Sequence, residues 1–279
     1  MNKYVNNNYD NIFNLEELCN NDTMLSEEKR EFILDCLDND REVLKYLNSY
    51  QTLLEMKRTK YVVDKIKEKH EPKYDEFFTE NAIEKWGINK LFVILDGIDK
   101  GFDITIYADS LFNAEQMNVI LKGLEHNVDV KKFADAKYCS EQMCMLELGL
   151  ELGINIELYA LPILNSKQMK QILVGLCSGV NILDYCDYKT CAEDMETIRK
   201  VLTYKGKSFE KYGGAKALKT YNIKQLKEIF EGISDNLDIE KFDDPNLDWR
   251  TMRNIRIKLY KDVIQEVIAD ISLKQNNYC

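Results

Sequence analysis

The chain has 279 residues, 45% of them hydrophobic and 31% charged, and a net charge of −10 at pH 7. This length can bury a large core, and the negative charge argues against general binding to nucleic-acid backbone, which needs positive charge. Only 3 residues are proline, strand-type alternation is nearly absent, and no stretch approaches the roughly 20 apolar residues of a membrane span, so we expect an all-α protein without a membrane segment.

The first 78 residues are predicted to form an N-terminal helical region that caps the rest of the chain. The first 24 are polar and contain no recognisable signal peptide. Ser26 can cap a first helix, which two glutamates follow at its positive end. A long second helix is predicted from Arg41 to about His70, with a basic far half, and Pro72 ends it. Terminal units of a repeat array need a different, more polar outer face, which suits this region.

A repeat of 26 residues follows and is clearest at 113–138, which reads NAEQMNVILKGLEHNVDVKKFADAKY. The next two stretches of the same length match it, weaker copies lie on both sides, and we count about seven units. Self-similarity at a fixed period is typical of helical repeat arrays. The recurring anchor and glycine positions include Met117, Gly123, Met143, Gly149, Met169, Gly175, Leu226 and Gly232.

Each unit is predicted to be a longer helix, a tight turn and a short helix. Apolar residues follow Met117 at i+3, i+4 and i+7, which indicates one helix face. Asn113 and Gln116 can form a capping box at the helix start, and a Gly or Asn such as Gly153 can end the helix in a left-handed conformation. The recurring glycine inside the long helix indicates a close helix–helix approach at that position, because glycine there is otherwise unfavourable.

The period breaks in the fifth unit, where 204–220 replaces the second half of the repeat. The segment 199–224 carries eight basic residues and one acidic residue, a sum of +7. A basic, aromatic insertion in a regular array is a candidate binding segment, and the alternative is a solubilising loop that pairs with the acidic run 228–248. The candidate binding residues are Lys205, Lys207, Lys211, Tyr212, Lys216 and Lys219.

No arrangement typical of catalysis or metal binding occurs in the sequence. It has 2 histidines, His70 and His126, and none of the common hydrolase, metalloprotease, dinucleotide or phosphate-loop motifs. The 8 cysteines include no C-x-x-C pair, which argues for buried residues or free thiols and against a zinc site. We therefore predict a protein that is not an enzyme, needs no cofactor or metal, and resides in a reducing cytoplasm.

The unit Q-M-x-x-I-x-x-G-L-x-x-G-[VIL]-[DN]-[VI]-x-x-[YF]-A-D covers about residues 86–260. It is similar to a tandem helical repeat of uncharacterised proteins from Gram-positive bacteria and their mobile elements. The resemblance implies an α-helical repeat protein in a phage or plasmid setting, and it carries no known activity. In that setting, acidic proteins that block host defence systems by occupying their surfaces are plausible.

These observations predict a short α-solenoid of about seven two-helix repeats behind an N-terminal helical region. The predicted divisions are the cap at 1–78, repeats at 79–203, the basic insertion at 204–220, and repeats with a terminal helix at 221–279. The first hypothesis for function is binding of another protein through the solenoid surface. The second is a mobile-element inhibitor of the anti-CRISPR or anti-restriction type, which acts by docking or acidic mimicry. The third is nucleic-acid binding through 199–224.

Overall fold

A computed structural model of the chain describes residues 25–68, 70–182, 185, 188–206 and 209–276. This part of the chain is helical and contains no strand, which confirms the all-α prediction. Contacts within the chain divide it into two compact units, the first ending at Glu147 and the second beginning at Leu148. Among the described residues, no helix has the length and apolar content required to cross a membrane.

The first unit is built around one apolar helix, α4. The helices of this unit are α1 (Glu27–Asn39), α2 (Leu53–Lys65), α3 (Glu80–Trp86), α4 (Ile88–Asp99), α5 (Ala114–Glu125) and the start of α6 (Ser140–Glu151), with 3-10 turns at Val43–Tyr46, Pro72–Phe77, Ile104–Ile106 and Val130–Lys132. Helices α2, α3 and α5 each pack on α4. Its residues Leu91, Ile94 and Leu95 are almost fully buried, so α4 supplies much of the core of this unit.

The predicted single helix from Arg41 to His70 is wrong, because local side-chain bonds interrupt it. A 3-10 turn at Val43–Tyr46 is followed by a non-helical stretch, and α2 begins only at Leu53. Thr52 and Glu55 form a capping box there: the Glu55 backbone N–H donates to the Thr52 hydroxyl at 3.2 Å, and the Thr52 N–H donates to the Glu55 carboxylate at 2.6 Å. This capping signal overrides the continuous apolar pattern on which the prediction depended.

The second unit contains the later repeats and the insertion. After the end of α6 its helices are α7 (Ser166–Cys177), α8 (Ala192–Thr203), α9 (Phe209–Tyr212), α10 (Gly214–Thr220), α11 (Ile223–Ser234) and α12 (Trp249–Asn276), with 3-10 turns at Ile156–Leu158 and Ile239–Lys241. Helix α7 packs on α8, α8 on α11, and α11 on α12. The long helices α8 and α11 therefore remain neighbours although the insertion separates them in sequence.

The starts of α5, α7 and α11 are each fixed by one buried glutamine that makes more bonds than the sequence predicted. The capping box is confirmed at Asn113, where the Gln116 N–H donates to the Asn113 side chain and the Asn113 N–H donates to the Gln116 side chain, both at 2.8 Å. The Gln116 amide also donates to the Tyr138 carbonyl at 2.6 Å, just before the next helix. The same two features recur at Asn165 with Gln168 and Thr190, and at Asn222 with Gln225 and Leu247.

The helix ends follow the prediction, but the short helix is smaller than expected. Asn127 and Gly153 have φ of 56° and 70°, and the Val128 N–H donates to the Gly123 carbonyl at 3.0 Å, which is the six-to-one bond of a Schellman motif. The element that follows, such as Ile156–Leu158, is a 3-10 turn of 3 residues. The chain turns back after this single turn, so a repeat such as 113–138 has one helix of 12 residues.

The recurring glycine inside the long helix does mark a close approach, but an aromatic ring makes it. At Gly123 an added Cβ would lie 3.0 Å from Cζ of Phe133, which follows the 3-10 turn of the same unit. The same pairing joins Gly97 with Tyr107, Gly149 with Tyr159, Gly175 with Tyr185, and Gly232 with Phe242. The predicted helix–helix approach at these glycines is therefore replaced by a ring that packs against the bare helix backbone.

Gly97→Ala tests this ring contact. The new methyl group would overlap the Tyr107 hydroxyl and lie 3.1 Å from Cζ. We expect a loss of about 2 kcal/mol in the free energy of unfolding, since overpacking outweighs the better helix propensity of alanine. In a Tyr107→Phe background the nearest atom is gone, and the cost should fall below about 1 kcal/mol. Urea unfolding of the four variants measures both costs, and equal costs in the two backgrounds would contradict the contact.

Candidate functional site

The insertion that breaks the repeat is a folded part of the second unit. Its helices α9 and α10 place Tyr212 and Ala217 in the core, and Tyr221, which follows them, is buried with them. The same cluster contains Val201, which occupies the position that is glycine in other units. Without a glycine at 201, an aromatic ring cannot pack against the backbone of α8, and the two short helices fill this space instead.

A buried carboxylate, Asp243, ties the insertion to the segment after α11. The Tyr212 hydroxyl donates to the Asp243 carboxylate, and the Lys211 ammonium forms an ion pair with the same group. The Tyr221 hydroxyl donates to the Asp243 backbone carbonyl at 2.8 Å. The pKa of the Tyr212 phenol is raised, mainly by burial and to a smaller extent by its hydrogen bond to the Asp243 carboxylate. Pairing of the insertion with the acidic run 228–248 therefore occurs at Lys211.

The structure separates the six predicted binding residues into different environments. Lys205, Lys216 and Lys219 are exposed, and they stay candidates for contact with a ligand. Lys211 is half exposed and is engaged by Asp243. The ring of Tyr212 is only 3% exposed, so in this structure it packs in the core and does not face a partner. Lys207 lies outside the described residues.

A cavity of about 340 Å³ lies between α8, α11 and α12, and it contains a charged cluster that the sequence did not reveal. The Arg256 guanidinium on α12 donates to the Glu228 carboxylate at 2.9 Å and also pairs with Glu231 on the same helix, α11, and with Asp235 directly after it. Glu228 is 4% exposed. One arginine is therefore shared by three carboxylates and holds α12 against α11, which is a structural role.

Five exposed apolar side chains come from a single repeat. We call them the leucine patch: Leu148, Leu152, Leu158, Leu161 and Ile163. Their exposed fractions lie between 37 and 64%. Leu148 lies on α6 and Leu152 directly after its end, and the other three lie within six residues in and after the next 3-10 turn. The patch was not predicted from the sequence, because its residues keep the period and differ from the other repeats only in being apolar at outward-facing positions.

The other 26-residue repeats carry polar residues at most of the positions that correspond to the leucine patch. Asp109, Asp135 and Asp244 correspond to Leu161, and Lys132 and Lys241 correspond to Leu158. The residues that correspond to Leu152 are also mostly polar and include Lys100, His126, Ser178 and Asp235. Those that correspond to Ile163 include Lys137, Lys189 and Asn246. The apolar character is therefore not required by the repeat fold. Several exposed apolar side chains within one repeat are typical of an interaction site.

The surroundings of the leucine patch are acidic. Between Tyr138 and Lys167 the chain contains four glutamates and no lysine, arginine or histidine. Two of these glutamates, Glu151 and Glu157, belong to the second unit and are exposed beside the leucines in sequence. The segment that carries the patch therefore combines apolar side chains with acidic ones.

The described cysteines include five free thiols, Cys36, Cys139, Cys144, Cys177 and Cys191. Cys36 is fully buried, and its burial raises the pKa of the thiol to about 11. This thiol therefore stays protonated at neutral pH and packs as a small apolar side chain.

Tyr212→Phe tests the anchoring of the insertion. It removes the hydroxyl donor from the buried Asp243, and we expect the free energy of unfolding to fall by about 1–3 kcal/mol. Lys211→Ala is the matched control, because its half-exposed ion pair should contribute less than about 1 kcal/mol. Chemical denaturation measures both, and a larger loss for Lys211→Ala would show that Tyr212 is not the anchor.

No family model, curated protein or solved structure matches this chain. Two surfaces remain as candidates for function, the exposed lysines of the insertion and the leucine patch. The leucine patch keeps the repeat period but carries apolar residues at positions that are mostly polar in the other repeats.

Proposed function

We propose that the chain is a non-enzymatic helical-repeat protein of the cytoplasm, a short α-solenoid of about seven units, which binds another protein through the leucine patch. The observation that carries the proposal is the set of five exposed apolar side chains at positions where other units are mostly polar. A repeat scaffold suits this role, since outward-facing positions can change without affecting the contacts between neighbouring units.

The size of the patch is sufficient for the core of an interface. Full burial of one leucine or isoleucine contributes roughly 1.5–3 kcal/mol, and these side chains are about half exposed already. Covering all five would contribute roughly 5 kcal/mol, which is the scale of the few residues that dominate typical interfaces. Polar residues at the rim would supply specificity with little further affinity.

The resemblance to repeat proteins of mobile elements narrows the class of partner that we propose. A protein of a host defence complex, held by an inhibitor of the anti-CRISPR or anti-restriction type, fits both the phage or plasmid setting and the acidic patch. Such complexes expose basic surfaces for nucleic acid, and acidic residues beside apolar anchors complement a basic surface.

A triple substitution that borrows residues from other repeats tests the patch. Leu158→Lys, Leu161→Asp and Ile163→Lys each introduce the residue of a corresponding position, so the fold should tolerate them. We expect a partner captured from the native host by the wild-type chain to bind at least about 100-fold more weakly, which corresponds to about 2.7 kcal/mol. The measurement is quantitative pull-down followed by calorimetry with the identified partner.

Leu111→Lys is the matched control, because Leu111 is 74% exposed and lies outside the patch. It should leave binding unchanged. The circular dichroism spectrum and melting temperature of the triple variant should stay close to those of the wild type. If the triple variant retains full affinity for the partner, the leucine patch is not the binding surface.

Nucleic-acid binding is the second candidate, and the exposed lysines Lys205, Lys216 and Lys219 favour it. Under our proposal, the chain does not bind single- or double-stranded oligonucleotides of mixed sequence at physiological salt. Salt-dependent binding that disappears in Lys205→Glu, Lys216→Glu, Lys219→Glu would support the second candidate instead. Lys211 is left intact, because a glutamate there would face Asp243 and disturb the fold.

A further inference from the structure

The last helix, α12, has two parts with different surroundings. Its first turns pack in the core of the second unit through Met252, Ile255 and Leu259. From Tyr260 to Ile268 every residue is exposed. A single helix without tertiary contacts is marginally stable in water, and helices of this kind are usually stabilised by packing of an apolar face. The second part of α12 therefore has the properties of a helix that binds a partner.

One side of this helix is apolar. Ile257, Tyr260, Ile264 and Val267 follow at spacings of three and four residues, which places them on one face. Their exposed fractions lie between 37 and 53%. This face lies mostly beyond the part of α12 that packs in the core cluster. It is therefore a second exposed apolar surface in the same compact unit as the leucine patch.

Charges are distributed unevenly around α12. With about 100° of rotation per residue, Lys261 lies about 60° from Ile264 and borders the apolar face. Asp262 and Glu266 lie about 160° from Ile264, on the opposite side of the helix. One border of the apolar face is therefore positive, whereas Glu151 and Glu157 lie next to the leucine patch in the sequence.

We propose that the apolar face of α12 docks on the leucine patch of a second copy of this chain. This inference rests on the proposed function of the leucine patch, and it makes a second copy of the chain a further ligand of that patch, in competition with the partner protein. Apolar side chains would meet apolar side chains, and Lys261 would approach the glutamates of the other copy. A symmetric pairing of two α12 faces lacks this charge complementarity, because both borders are positive.

The contact is heterologous, since each copy contributes a different surface to each junction. Every copy would still have one free face and one free patch after a single junction forms. Such contacts continue into an open chain or close into a ring. The assembly of the chain should therefore grow with concentration beyond a dimer, unless a ring of fixed size closes.

A complementation experiment tests this geometry on the full-length chain. The patch variant carries Leu158→Lys, Leu161→Asp and Ile163→Lys, and the face variant carries Tyr260→Glu and Ile264→Glu. Each variant alone should sediment as a monomer at about 50–100 μM, above the micromolar range expected for weak association. An equimolar mixture should form a heterodimer, because one intact face and one intact patch remain. Sedimentation velocity measures all three, and circular dichroism verifies that both variants are folded.

The other outcomes overturn the inference in distinguishable ways. A wild-type chain that stays monomeric at these concentrations excludes self-docking, while the pull-down of a host protein still tests the proposed function separately. Dimers of the patch variant alone would show that α12 pairs with α12. Dimers of the face variant alone would show that two patches pair. Lys261→Glu, which reverses the charge at the border of the face, should weaken the wild-type assembly roughly tenfold, and an unchanged assembly would contradict the approach of Lys261 to the glutamates.

Discussion

The contact on which each repeat depends is an aromatic ring that packs on a glycine inside the long helix. A side chain at the glycine would occupy the space of the ring, as at Gly97 with Tyr107 or Gly232 with Phe242. The ring follows directly after the 3-10 turn, so the contact forces the chain to reverse close to the helix surface. A unit can then be completed within 26 residues, and the buried glutamine at the helix start connects it to the next unit.

Much of this architecture could be predicted from the sequence, because capping and turn residues act locally. The Asn–Gln capping boxes and the left-handed Asn127 and Gly153 were recognisable from residue type and spacing alone. Two features were not recognisable. The glutamine amide bonds to a carbonyl 22 residues away, and a non-local bond leaves no periodic signal beyond the one that capping already explains. The break before α2 depended on Thr52 and Glu55, whose short-range bonds compete with a continuous apolar pattern.

The surface was harder to predict than the fold. The basic insertion attracted attention because it interrupts the period, yet its aromatic residue Tyr212 packs in the core and Lys211 is engaged by Asp243. The leucine patch keeps the period and was overlooked for that reason. In a repeat protein, comparison of corresponding positions across repeats finds candidate surface residues that a search for interruptions does not, because the fold constrains the inward positions and leaves the outward ones free.

The glutamine bonds also have a consequence for how the chain folds. Each closes a segment of only 22 residues, and the ring–glycine contacts close even shorter ones. Loop closure of this size is entropically inexpensive, and proteins rich in such local contacts fold fast. Folding can therefore begin in any regular repeat and spread to its neighbours. The insertion needs a longer closure, because Tyr212 bonds to Asp243 31 residues beyond it, but the extra entropic cost is small.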